Sequence, residues 1–285
     1  MPRRRFEAPA RAQVDPTRWA MPIFDGYRNH SERYAGSDWP TLASLDAALA
    51  APLHPASGAP LHFVEQTPAL LEDGLHYEQR ISTRGQIATR SENWHDLFNA
   101  LVWIEHRALK AALNARQVDD LARVGIKQRT PGQCALTQFD EAGAIVLLRD
   151  PSLLALWDAH DWHGLFWRER DAWTDGRLQL VVFGHALLEH ALNPQPLLVG
   201  KCLVLDSAGT TDTSTAAARI AQAVTAGQVL CDPQELRPLP LAGLPGWHPD
   251  AGHENFYSEA PCFRPARPGR QYPEPVRWKT ERSIP

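Results

Sequence analysis

At 285 residues, with 44% apolar, 22% charged and 8% aromatic residues, the chain has the composition of a soluble globular protein, long enough for one large core or two modest ones. Its net charge of -4 supplies no positive field, which disfavours nucleic acid and anionic lipid as partners. The basic run Arg3-Arg4-Arg5 is followed by Phe6, Glu7, Ala8 and Pro9 rather than by an apolar core, and no segment reads as a bilayer span, so neither a signal peptide nor a membrane partner is expected and a cytoplasmic location is the default.

Residues 1–36 read as an irregular N-terminal arm, interrupted by Pro2, Pro9, Pro16 and Pro22 and anchored by Trp19, Ile23, Phe24 and Tyr27. Residues 37–232 read as the core domain. Within it, Pro40 to Ala51 predicts a short helix with Leu42, Leu45, Ala48 and Leu49 on one face. Leu61 to Glu65 is a short β run, and the alternation of Tyr77, Gln79 and Ile81 predicts a strand or hairpin over Tyr77 to Ile87, turning at Gly85.

The longest amphipathic stretch is Ser91 to Asn114. Trp94, Leu97, Phe98, Leu101, Val102, Leu109, Ala112 and Leu113 recur at three- and four-residue steps, which predicts one long helix capped by Asn93. A polar stripe, His95, Asn99, Trp103, His106 and Lys110, runs beside the apolar one; its far end, His106 and Lys110, reads as ordinary surface.

Beyond it, Val118 to Val124 predicts a helical turn. Ala135 to Phe139 and Ala144 to Leu148 predict a hairpin across Asp140-Glu141-Ala142-Gly143. Pro151 to His160 and Trp162 to Trp173 predict helices. Leu178 to Leu192 is strand-like in its first half and helix-like in its second, and its length favours one helix with Gly184 inside. Leu197 to Leu205 predicts a strand. Asp212-Thr213 predicts the cap of a helix running to Ala226, and Val229 to Cys231 a last short strand. Residues 233–285 form a Pro- and aromatic-rich tail expected to wrap the same core on Trp247, Phe256, Tyr257, Phe263, Tyr272 and Trp278. With strands few and no βαβ alternation, the fold class is α+β, a helix-dominated single domain with a small, mostly antiparallel sheet.

Cys134, Cys202, Cys231 and Cys262 make no CxxC pair and are widely spaced, so free thiols are expected rather than a disulfide framework or zinc ribbon. Glycine-rich phosphate loops, GxSxG and HExxH are all missing. Three weaker constellations remain. Arg90, His95, Asp96 and Asn99 could bind a divalent metal or move protons, because imidazole titrates near neutrality; the same residues also fit a capped helix start. His185 and Glu189 are spaced i, i+4 in GHALLEH and, on a helix, could share a metal or orient one another, or form a surface pair. His248 and His253 sit in an aromatic loop better explained as an anchor.

The segments TRSENWHDLFNALVWIEHRALKAALN, ALTQFDEAGAIVLLRDPSLL, FGHALLEHAL and LAGLPGWHPDAGHENFYSEAPCFRPAR, taken in order, resemble a bacterial family known as domain of unknown function 3025. The chain departs from that pattern at Ile104-Glu105-His106-Arg107 and Gly200-Lys201-Cys202. The resemblance implies no mechanism, but it places His95, Asp96, Asn99, Asp140, His185 and Glu189 in shared segments. The leading expectation is an enzyme of the hydrolase class with His95, Asp96, Asn99, His185 and Glu189 as catalytic residues. A divalent metal would be held by His95, His185 and Glu189. The alternative is a non-catalytic interaction protein that docks a partner through its aromatic tail, where six basic residues face two acidic ones from Arg264 onward.

Overall fold

A computed structural model describes residues 7–193, 197–207 and 213–277. The Arg3-Arg4-Arg5 run, the Asp212 cap and Trp278 lie outside the described residues. The architecture is α+β: helices packed around a mixed sheet, with a small two-stranded sheet beside it.

In residues 7–36, Ile23, Phe24, Tyr27 and Tyr34 are buried, and the Tyr27 hydroxyl donates to the Val182 carbonyl at 3.0 Å. Helix α1 (Leu42–Leu49) is capped by Thr41, so Pro40 precedes it rather than starting it. Strand β1 (His62–Glu65) pairs in parallel with β2 (Gln86–Thr89). Between them Tyr77–Arg84 is helix α2, not a strand. The local signals outweigh the alternation: His76 and Gln79 close a reciprocal cap at one end, and Gly85 (φ 68°) ends the helix in the left-handed region.

The long amphipathic stretch is two helices, α3 (Trp94–Glu105) and α4 (Arg107–Val124), broken at His106, whose backbone (φ -117°, ψ 39°) is not helical. The His106 ring is wedged between Tyr27 and Phe183, with centroids at 6.0 and 5.7 Å. Val118 to Val124 is simply the end of α4.

The expected hairpin is absent. Thr130 and Gln133 form a capping box, Pro131 occupies the first turn, and helix α5 runs Pro131–Ala142 directly into strand β3 (Gly143–Leu148). Helix α6 (Ser152–Asp158) follows, and Trp162 to Trp173 is a π turn (Gly164–Arg168) joined to a 3-10 turn (Arg170–Trp173) rather than one α-helix.

Leu178–Val182 is strand β4 and His185–His190 is helix α7. The single helix expected there fails because Gly184 is the N-cap and the apolar half pairs with β3. Strand β5 (Val199–Asp206) follows, then helix α8 (Thr213–Thr225). Val229 to Cys231 forms no strand. Strands β6 (Arg237–Pro240) and β7 (Val276–Arg277) come from the tail.

The main sheet has the order β4-β3-β5-β6, with β7 also on β5. Strand β3 is buried along its whole length. It is antiparallel to β4 but parallel to β5, and β5 is antiparallel to β6 and parallel to β7, so the sheet is mixed. Phe256, Tyr257 and Phe263 of the tail pack into the core. Phe166 lies 6.1 Å from Tyr257 and 6.0 Å from Phe263, and the buried Arg237 guanidinium donates to Asp158 at 2.6 and 3.1 Å. The four cysteines are free thiols. Among the described residues, no helix is long and apolar enough to cross a membrane.

Candidate functional site

Three chain segments converge because of one close backbone approach. Strands β3 and β4 are antiparallel with Ala144 opposite Val182, so the end of β4 lies beside the end of α5. The Phe183 and Gly184 amides then donate to the Gly143 carbonyl at 3.0 and 2.8 Å. A Cβ on Gly184 would lie 2.5 Å from both Ala142 Cα and Gly143 N, so only glycine permits this approach. It sets the first residue of α7, His185, against the last turn of α5, which carries Asp140 and Glu141.

Helix α3 supplies the opposite wall. Asn93 accepts from the Asp96 amide at 3.0 Å and fixes the helix start. The Asp96 carboxylate is fully engaged: it accepts from the Arg90 amide at 2.6 Å and from the Arg90 side chain at 2.9 and 2.8 Å. Asp96 thus clamps the strand–helix connection. His95, next to it, points at α7.

There the rings of His95 and His185 meet, Nε2 to Nε2 at 3.0 Å, nearly perpendicular at 76°. His95 Nδ1 contacts the Glu189 carboxylate at 2.9 Å. His185 Nδ1 faces Asp140, whose Oδ2 is 3.9 Å away, and Glu141 Oε2 lies 3.5 Å from His185 Nε2. One ligand atom from each of His95, Glu141 and His185 lies within 4.8 Å of the others. The i, i+4 spacing of His185 and Glu189 does put both on the His95 side of α7. Glu189 contacts the outer nitrogen of His95, whereas Glu141 is the carboxylate grouped with the two imidazoles.

The electrostatics follow from burial. The hydrogen bond that His95 donates to the Glu189 carboxylate raises the His95 pKa. Desolvation lowers that of His185 to about 3, so this ring is neutral. Burial also raises the Glu141 carboxyl. For Asp140 burial again acts upward, but the charge and hydrogen bond of Lys110 lead the opposing influences and the net shift is downward. Both acids sit at the helix end where the dipole disfavours anions, so the site needs nearby positive charge.

Part of that charge comes from Lys110, which is only 4% exposed and donates to Asp140 at 2.6 Å and to Asn99 at 2.8 Å. It is not surface, and neither is His106. Lys110 and Asn99 are eleven residues apart, about 16 Å along a straight helix. That is farther than a lysine side chain reaches, so the break at His106 brings them together. Asn99 in turn donates to the Tyr77 hydroxyl at 3.0 Å, and Asn114 donates to Glu78 at 2.5 Å. Burial raises the Glu78 carboxyl to about 7.

These groups line a cleft of about 250 Å³, which includes Tyr77, Asn99, Lys110, His95, Glu141 and His185. A larger groove of about 740 Å³ runs along the edge strand β4 to Trp173 and Trp247, but none of the three clustered residues lines it. The smaller cleft holds the clustered imidazoles and carboxylate. The His248–His253 loop is an anchor: His248 caps the turn at Pro249 and stacks on Phe256 at 4.7 Å.

Lys110, Glu141, Tyr77 and Glu78 are the site residues that sequence reasoning missed. The helical reading of Pro131–Ala142, available from the Thr130–Gln133 capping box, would have placed Glu141 at a helix end rather than in a turn.

No curated protein and no solved structure matches the chain significantly. Residues 61–267, which contain every group named in this cleft, match the family described as protein of unknown function DUF3025, and the chain belongs to that family.

Proposed function

We propose that the protein is a bacterial, cytoplasmic, metal-assisted hydrolase in which His95, His185 and Glu141 ligate a divalent cation. The observation that carries this is the Nε2–Nε2 contact of 3.0 Å. His95 donates through Nδ1 to Glu189, so its Nε2 turns a lone pair to His185 Nε2, and that contact needs a proton or a cation between the two nitrogens. Two nitrogens of a tetrahedral zinc site are about 3.3 Å apart, given Zn–N bonds of about 2.05 Å, close to what is found here.

Charge supports the same reading. Among the described residues, Asp96, Asp140, Glu141 and Glu189 face Arg90 and Lys110 as permanent cations, leaving two negative charges that a divalent ion would balance. Two imidazoles and one carboxylate leave a coordination position open, the pattern of a catalytic rather than a structural ion. An ion there would polarise a substrate oxygen or activate water. Glu189 would orient His95, Asp96 would fix the start of α3, and Asn99 would organise the far wall.

Elemental analysis of protein purified without chelators tests this. One ion per chain is expected, lost in His95→Ala and His185→Ala, with hydrolysis of a panel of chromogenic esters and amides tracking the ion content. Protein that contains no ion and gives no heat with zinc or manganese would overturn it. Stoichiometric iron would redirect the chemistry toward oxygen activation.

A further inference from the structure

We propose that Tyr77 donates the hydrogen bond that holds the substrate's carbonyl oxygen, and that the substrate is a small, uncharged amide or ester. This rests on the hydrolase reading above and adds the group opposite the ion.

The polarity of the far wall is fixed from one end. An ammonium can only donate, so Lys110 Nζ, bonded to Asp140 at 2.6 Å, must find the carbonyl oxygen of Asn99 at 2.8 Å. This leaves the Asn99 amide nitrogen to donate to the Tyr77 hydroxyl at 3.0 Å. The hydroxyl is therefore an acceptor on that side, and among the described residues its own proton has no acceptor. Burial raises the phenol pKa, which keeps that proton in place. The cleft shared with His95, Glu141 and His185 is what the hydroxyl has left to donate into.

Placement and charge restrict the ligand. His95 and Asn99 share a face of α3 one turn apart, about 6 Å between Cβ atoms, so the Tyr77 end and the ion end are separated by the width of a small acyl group. The cleft of about 250 Å³ is below the usual range for drug-sized ligands, about 300–1,000 Å³. Once a divalent ion balances the two excess carboxylates the site is neutral overall, which favours an uncharged carbonyl compound over a phosphate dianion.

In the reaction, water attacks the carbonyl carbon and a C–O bond forms as the π pair moves onto the carbonyl oxygen. Tyr77 donates to that oxygen, where charge develops. The pair then returns, the bond to the leaving nitrogen or oxygen breaks, and that atom takes the proton the water gave up.

The test uses zinc and acetohydroxamate as probes, titrated calorimetrically against wild type and Tyr77→Phe. Zinc affinity is expected to agree within twofold between the two, while the zinc-loaded Tyr77→Phe protein binds acetohydroxamate about tenfold or more weakly, the worth of one hydrogen bond to a charged oxygen. If Tyr77→Phe fails to fold, Asn99→Ser, which removes the orienting amide, is expected to give the same split. Equal hydroxamate affinities, or no hydroxamate binding by either zinc-loaded protein, would overturn the role of Tyr77 alone. Inorganic phosphate binding the zinc-loaded wild type more tightly than acetohydroxamate would overturn the substrate class. Absence of zinc binding by wild type would remove the hydrolase reading, and this inference with it.

Discussion

His95 and His185, ninety residues apart in sequence, meet ring nitrogen to ring nitrogen at 3.0 Å. Each ring turns its other nitrogen to an acid, Glu189 for one and Asp140 for the other. The Glu189 carboxylate fixes the tautomer and orientation of the His95 ring before any ligand arrives, whereas the Asp140 carboxylate stays beyond hydrogen-bond distance of His185 Nδ1.

Those outer partners differ in consequence from the inner ones. Removing an inner ligand, with Glu141→Ala or His185→Ala, is expected to abolish stoichiometric metal retention. Glu189→Gln keeps an acceptor for His95 Nδ1 and is expected to weaken zinc about tenfold, with Glu189→Ala nearer a hundredfold. Competition against a zinc-chelating dye reads both; a Glu189→Ala loss as complete as that of Glu141→Ala would make Glu189 a ligand instead.

Lys110 is enclosed and paired to Asp140, which is about a quarter exposed. Lys110→Met leaves that acid without its cation and is expected to cost about 3 kcal/mol, the low end for breaking a buried pair because water still reaches Asp140. Lys110→Met combined with Asp140→Asn should recover part of the loss. Urea unfolding of the three variants measures the coupling, and strict additivity would show that the pair does not act as a unit.

Gly184 admits no side chain beside Ala142 and Gly143. Gly184→Ala must push α7 away from α5 and is expected to destabilise by about 1–3 kcal/mol. Because His185 follows immediately, zinc affinity should fall with stability. A control, Gly252→Ala, meets nothing within 4 Å and should leave both unchanged.

Glu78 gives stability a pH dependence. Its folded-state carboxyl, raised from 4.5 to about 7 by burial, holds a proton more tightly than the unfolded chain does. Its contribution is therefore fully present below about pH 4.5 and is lost as pH rises through 7. Allowing for its partial exposure, the loss is about 1–2 kcal/mol. Thermal unfolding between pH 5 and 8 should show a downward trend that Glu78→Gln flattens.

The start of the site is readable from the sequence. The Asn93 cap, the stripe from His95 to Asn99 and the spacing of His185 and Glu189 are local patterns, and local patterns survive folding. What is hidden depends on element type or on distance. Asp140 and Glu141 look like a turn because Ala135 to Phe139 and Ala144 to Leu148 both suit strands, yet the Thr130 cap makes the first of them helical. Lys110 looks solvent-exposed on one long helix; it is buried only because the chain changes direction at His106, for which no local breaker residue gives a sign. The Tyr77 segment alternates like a strand while its capping box and Gly85 close a helix. For the Tyr77 and Asp140 segments the misleading pattern is short and a terminal signal decides; for Lys110 only the tertiary packing of His106 does.

The close approach at Gly184 also bears on how the protein assembles. His95, Glu141 and His185 come from α3, α5 and α7, and only the pairing of β3 with β4 brings the latter two together. No fragment that stops before α7 contains the cluster, so a nascent chain could not coordinate an ion until most of it had been made. An ion captured afterwards would act as a three-way staple between helices distant in sequence, binding the folded chain but not the unfolded one. By mass action it would add about 4 kcal/mol at a thousandfold excess over its dissociation constant. Topology thus places loading after the synthesis of α7, whether the ion binds during folding or after it.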